Sequence, residues 1–122
     1  MPTVLIDACG WVAVVDGGIH IDHALAEQVG PVELAITAAG RAELERLQGE
    51  RSATLLLDLL DSRAEVVLAP EGVRHTDDQL IRLAAQLQCP VLTVDRELKR
   101  RLIAEGSQII EVVGGSALRL VS

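Results

Sequence analysis

Thr93-Val94-Asp95-Arg96-Glu97-Leu98-Lys99-Arg100-Arg101 sets one carboxylate between the end of a short apolar strand, Val91-Leu92-Thr93, and the start of a basic helix. Aspartate is a favoured helix N-cap, and the positive end of the helix dipole keeps an acid there ionised. The junction therefore places a potential cation ligand directly before side chains able to hold phosphate. The same pattern recurs upstream. Val4-Leu5-Ile6 ends in Asp7, the strand Glu33 to Ile36 leads through the cap Thr37 into a helix carrying Glu43, and Val66-Val67-Leu68 precedes a helix opening at Asp77-Asp78.

Between these points the chain alternates strand and helix. After Asp7-Ala8-Cys9-Gly10, read as a turn, come a short helix from Trp11 to Val15, a break at Gly17-Gly18, and a helix capped by Asp22 and stopped by Gly30-Pro31. Helices from Ala38 to Leu47 and from about Glu50 to Leu60 follow, the first ended by Gly49. Past Pro70 and Gly72, Thr76 or Asp77 caps a helix in which Leu80, Leu83, Ala84 and Leu87 share one face. The basic helix ends near Gly106, and Ile109 to Val113 is a fifth strand. Residues 114–122 read as a tail in which Leu118, Leu120 and Val121 could add an edge strand. Such alternation predicts an α/β fold of three α/β/α layers, Rossmann-like, with a central parallel sheet of about five strands and one domain over residues 1–122.

Composition narrows the function classes. A formal charge of −7 argues against coating nucleic acid with the whole surface, so any such contact must be local. Phe and Tyr are absent and Trp11 is the sole aromatic residue, which excludes base-stacking platforms. Cys9 and Cys89 are isolated thiols with no zinc or disulfide spacing; Cys9 reads as buried filler, and a cytoplasmic location fits. No basic leader precedes the first strand, and no apolar run is long enough to cross a bilayer.

In an open α/β sheet, ligands gather beyond the carboxyl ends of the strands. Asp7, Glu43, Asp77 and Asp95 can all meet at that edge, where clustered carboxylates repel unless a cation offsets them. Hard oxygen donors suit Mg²⁺ or Mn²⁺, which can activate water for phosphodiester hydrolysis without a nucleophilic side chain. The bland alternative makes Asp7, Asp77 and Asp95 helix caps only. Glu45 competes with Glu43, and Asp78 with Asp77. Thr93 either hydrogen-bonds a neighbouring carboxylate or simply ends its strand. Arg96, Lys99, Arg100 and Arg101 form the dense positive cluster; they either grip a phosphate backbone or line a solvated helix face with a Glu97–Arg101 pair. His20, His23 and His75 lack ligand spacing, and the glycine pairs at 17–18 and 114–115 make no phosphate loop.

These motifs resemble those of PIN domains, within the group that includes small-subunit rRNA-processing nucleases. The carrying residues are Val4-Leu5-Ile6-Asp7, Ala42-Glu43-Leu44-Glu45-Arg46-Leu47, Thr76-Asp77-Asp78-Gln79-Leu80 and the intact run Thr93 to Arg101, spanning nearly the whole chain in order. The resemblance implies metal binding by Asp7, Glu43, Asp77 and Asp95, with Asp78 as alternative or support, and Mg²⁺ or Mn²⁺ as cofactor. It also implies an RNA substrate and a tendency of such domains to pair as homodimers. Ala8-Cys9 departs from the Thr and Asn or Ser that often follow the first aspartate.

The expectation is thus a divalent-metal-dependent endoribonuclease, with rRNA processing as one setting. The rivals are an RNA- or ribosome-assembly-binding module of weakened catalysis, and a toxin ribonuclease paired with an antitoxin. A phosphoacceptor receiver domain is disfavoured, because Leu68 leads to Ala69-Pro70 and no late lysine exists.

Overall fold

The computed structural model describes residues 2–51 and 56–122. Six strands, β1 (Thr3–Ile6), β2 (Glu33–Thr37), β3 (Ala64–Val67), β4 (Val91–Leu92), β5 (Ile109–Val113) and β6 (Ala117–Val121), form one sheet in the order β3-β2-β1-β4-β5-β6. The first five are parallel, as expected, and the expected edge strand is present as β6, antiparallel to β5. The helices are α1 (Ala8–Asp16), α2 (Ile21–Val29), α3 (Ala38–Gly49), α4 (Leu56–Arg63), α5 (Thr76–Leu87) and α6 (Arg96–Ala104).

Alternation along the strands divides the core into two layers, because successive side chains of a strand point to opposite faces. Val4, Ile6, Leu34, Ile36, Leu92 and Ile110 pack with residues of α1 to α4. Leu5, Ala35, Val91 and Ile109 point the other way, onto Leu80, Leu83 and Ala84 of α5 and Leu98 and Leu102 of α6. Trp11 is fully buried, and its indole N–H donates to the Leu56 carbonyl at 2.9 Å, joining α1 to the start of α4. The lone aromatic residue is therefore a core anchor.

Gly10 within α1 and Gly17 just after it permit close backbone approach. A Cβ at Gly10 would lie 2.5 Å from the Leu92 carbonyl oxygen, and one at Gly17 only 2.1 Å from that of Gly115, between β5 and β6. Both distances lie below van der Waals contact, so α1 packs this tightly only because these positions lack side chains.

Several boundaries differ from the sequence reading. No turn separates Asp7 from α1, which begins at Ala8 because the Trp11 N–H already bonds the Asp7 carbonyl at 3.0 Å. Asp22 lies inside the first turn of α2 rather than capping it, and His75 precedes α5, leaving Asp77 and Asp78 in its first turn. β3 starts at Ala64 instead of Val66. Its pairing with β2 ends at Thr37 and Val67, so Leu68 finds no ladder and is 92% exposed. The helix expected from Glu50 to Leu60 partly lies outside the described residues; α4 is seen from Leu56.

Candidate active site

The strand order contains a topological switch. From β1 the chain winds outward through β2 to β3, then crosses back to β4 on the other side of β1. Ligands bind in such sheets outside the carboxyl ends of the strands flanking the switch, and here those ends carry Asp7 and Thr93. The registers Ile6↔Leu92 and Leu5↔Ala35, carried one and two residues further, set Asp7 beside Thr93 and Thr37.

Asp7 occupies the N-cap position of α1, yet its side chain makes no capping bond. It turns toward the neighbouring strand, where Thr93 Oγ1 donates to its Oδ2 at 2.8 Å and the Cys9 thiol donates to the same oxygen at 3.0 Å. The carboxylate is 8% exposed and Thr93 is fully buried. Cys9 is thus no inert filler: it stands 3.5 Å from Thr93 Oγ1 as well. Burial, followed by the charge and hydrogen bond of Asp7, pushes the Cys9 thiol above its ordinary value, so it meets the acid as a neutral donor. Nothing in residue spacing distinguished this role from filler; an S–H two positions after a buried carboxylate was the available signal.

Thr93 also accepts from the Asp95 backbone N–H at 3.1 Å. One hydroxyl thereby couples the acid after β1 to the acid after β4, and the bland reading of Thr93 as a strand end falls. Asp95 does cap α6, its Oδ1 accepting from the Leu98 N–H at 2.9 Å, and the residue is exposed.

Asp77 is the third member. Burial first, then the charges of Asp7 and Asp95, raise its carboxyl above the usual carboxylate value, with Arg101 opposing. Three acids from the starts of α1, α5 and α6 therefore share one field. Asp78 faces away: Arg101 donates to its Oδ1 at 2.5 Å and holds that carboxyl low. The two neighbouring aspartates have different surroundings, Asp77 beside the other acids and Asp78 on an arginine.

Glu43 lies six residues beyond Thr37, about 9 Å along the axis of α3. It is exposed and its carboxylate binds Arg46, while Glu45 binds Arg41. Neither glutamate is among the charges acting on Asp77. Among the described residues, no three His, Cys, Asp or Glu side chains lie close enough to hold a metal ion as they stand.

The basic cluster disperses. Lys99 pairs with Glu111 at 3.1 Å and Arg100 with Glu97 at 2.5 Å, while Arg101 reaches Asp78 instead of the expected Glu97. Arg96 is exposed and carries no ion pair among the described residues. His23 pairs with Glu27 at 3.1 Å, while His75, at the N-cap of α5, acts on Asp78. Among the described residues, no helix is long and apolar enough to cross a membrane.

Known structures share this architecture. The PIN domain endonuclease Utp24 aligns with a TM-score of 0.78 at 23% identity, over 97% of this chain and 90% of that one. A PilT N-terminus domain protein from the hyperthermophilic archaeon Sulfolobus solfataricus P2 aligns with a TM-score of 0.59 at 12% identity, over 89% and 86%. At such identities the likeness is one of fold. Among curated protein sequences none matches. The family model of the PIN-like domain matches residues 4–114, and on that extent the chain belongs to the PIN-like domain family.

Proposed function

We propose that the chain is a Mg²⁺- or Mn²⁺-dependent endoribonuclease whose acids are Asp7, Asp77 and Asp95, joined by Glu43 and supported by Thr93. The observation that carries this reading is the placement of the acids at the switch point, where burial and then the charges of Asp7 and Asp95 raise Asp77. The donor set fits a hard dication: all are carboxylate oxygens, and a bound cation would offset their mutual repulsion. Bound there, such an ion would supply an activated water and offset charge gathering on the phosphate.

The chain's own residues supply placement. Thr93 and Cys9 both occupy Oδ2 of Asp7, which fixes the carboxylate plane and leaves Oδ1 without a hydrogen bond from the described residues. In the same way Leu98 N–H takes Oδ1 of Asp95 and leaves Oδ2. Asp77, its carboxyl raised by burial and then by its acidic neighbours, gains from a positive charge placed beside it. Glu43 joins only if it exchanges Arg46 for the site, a rotation open to an exposed side chain on a fixed helix.

Separate Asp7→Asn and Asp95→Asn variants test this by cleavage of an RNA oligonucleotide in Mg²⁺ and in Mn²⁺. Cleavage should fall by roughly 100-fold or more, as for loss of an electrostatic transition-state contact, with unchanged circular dichroism. A double variant that cuts at the parent rate would overturn the assignment.

A second reading is an RNA-binding module without efficient turnover, in keeping with the dispersed acids and the Glu43–Arg46 pair. It expects an RNA complex in gel shifts and no product with Mn²⁺. An rRNA precursor is the substrate suggested by the motif resemblance to the small-subunit rRNA-processing group; cleavage of structured against unstructured rRNA fragments would test it.

A further inference from the structure

The loop after β3 and the facing sides of α5 and α6 enclose an open cleft of about 630 Å³. Arg74, His75, Asp78, Arg82, Arg101 and Glu105 line it. Arg101 is bound to Asp78, but Arg74 and Arg82 are exposed and carry no ion pair among the described residues. Three arginines there face the two carboxylates of Asp78 and Glu105, a local surplus of one positive charge in a chain of net charge −7. The outer face of α6 offers less, since Lys99 and Arg100 are already paired with carboxylates.

We propose that this cleft is a subsite for the ribose-phosphate backbone of single-stranded RNA, holding a nucleotide next to the one bound at the acids; the proposal rests on the ribonuclease reading. Continuity with the acid site is built into α5. Asp77 lies in the field of Asp7 and Asp95, while its neighbour Asp78 lines the cleft. Arg101 acts on both aspartates, so it stands where the two sites meet.

The chemistry selects the backbone over the bases. Phe and Tyr are absent and Trp11 is buried, so no aromatic face is offered for stacking. Guanidinium groups match the planar, paired oxygens of phosphate. Binding here should therefore be tolerant of sequence and sensitive to salt.

The test uses the full chain with Asp95→Asn to prevent cutting, and reads fluorescence anisotropy of a labelled single-stranded RNA in Mg²⁺. Arg74→Ala/Arg82→Ala should weaken binding of an RNA of about 12 nucleotides by roughly tenfold, and lower the slope of log K against log salt by about 1.4, some 0.7 per lost phosphate contact. A single nucleoside monophosphate, which cannot span both sites, should lose much less affinity. Arg74→Lys/Arg82→Lys should restore most of the slope. Equal affinity and slope in parent and alanine variant would overturn the subsite, as would poly-glutamate displacing the RNA as well as poly-uridine does, which would indicate an acidic protein partner. RNA held through Arg74 and Arg82 by a parent chain that never cuts it would support the subsite while removing the ribonuclease reading.

Discussion

Replacing Thr93 by valine deletes one buried hydroxyl while keeping the shape of the side chain. That hydroxyl donates to Asp7 at 2.8 Å and accepts from the Asp95 N–H at 3.1 Å. A hydrogen bond to a charged group contributes about 1.5–3 kcal/mol, and the loss is near the full amount where water cannot substitute. Asp7 is only 8% exposed, so its bond falls in this class; Asp95 is exposed and its N–H can turn to solvent. The expected cost of Thr93→Val is therefore about 2–3 kcal/mol. For a domain of this size that corresponds to a fall in Tm of roughly 8–12 °C. Calorimetry and urea unfolding measure it, and a cycle with Asp7→Ala isolates the cause. In the Asp7→Ala background Thr93→Val should cost less by about 1.5 kcal/mol or more, because the charged acceptor is gone. A cost below about 0.5 kcal/mol, or the same cost in both backgrounds, would refute the bridge between the two strand ends.

Asp77→Asn should raise stability at neutral pH in EDTA. The folded state holds the Asp77 proton more tightly than the unfolded chain, so its contribution is present below the ordinary value of 3.8 and is lost as pH rises through the raised value. The difference in Tm between variant and parent should therefore vanish below that ordinary value and open above it, while cleavage is lost. Gly10→Ala gains up to about 1 kcal/mol of helix propensity but drives a Cβ to 2.5 Å from the Leu92 carbonyl. Overpacking of this kind costs about 1–3 kcal/mol, and the same carbonyl accepts the Asp7 N–H at 2.9 Å. Both stability and cleavage should fall, and an alanine variant as stable and active as the parent would contradict the close approach. The Cys9 thiol should react with iodoacetamide more slowly than a free cysteine at pH 8, and Asp7→Asn should speed it by removing the adjacent charge.

The layers were legible because the apolar runs are short and separated by caps and breakers; Thr37 accepts from the Gly40 N–H as its position suggested. The acids at strand ends were legible for the same reason, since a strand end fixes where the next residue emerges. What sequence could not carry was the direction of each side chain. Asp7 and Asp95 both occupy N-cap positions, yet only Asp95 caps its helix. Asp77 and Asp78 are neighbours on the chain and face different groups. The run 96–101 reads as one positive block, but helical geometry spreads it around an axis toward Glu111, Glu97 and Asp78. Arg74 and Arg82, eight residues apart and outside any motif, become neighbours of Arg101 only through the packing of α5 on α6.

The first helix is pinned at both ends by bare peptide, Gly10 on β4 and Gly17 on the turn before β6. A rod clamped twice has little freedom to slide or tilt, and its clamps involve no side chain that substitution could trim. Enlarging the far glycine would be felt at Asp7, ten residues away, by leverage alone.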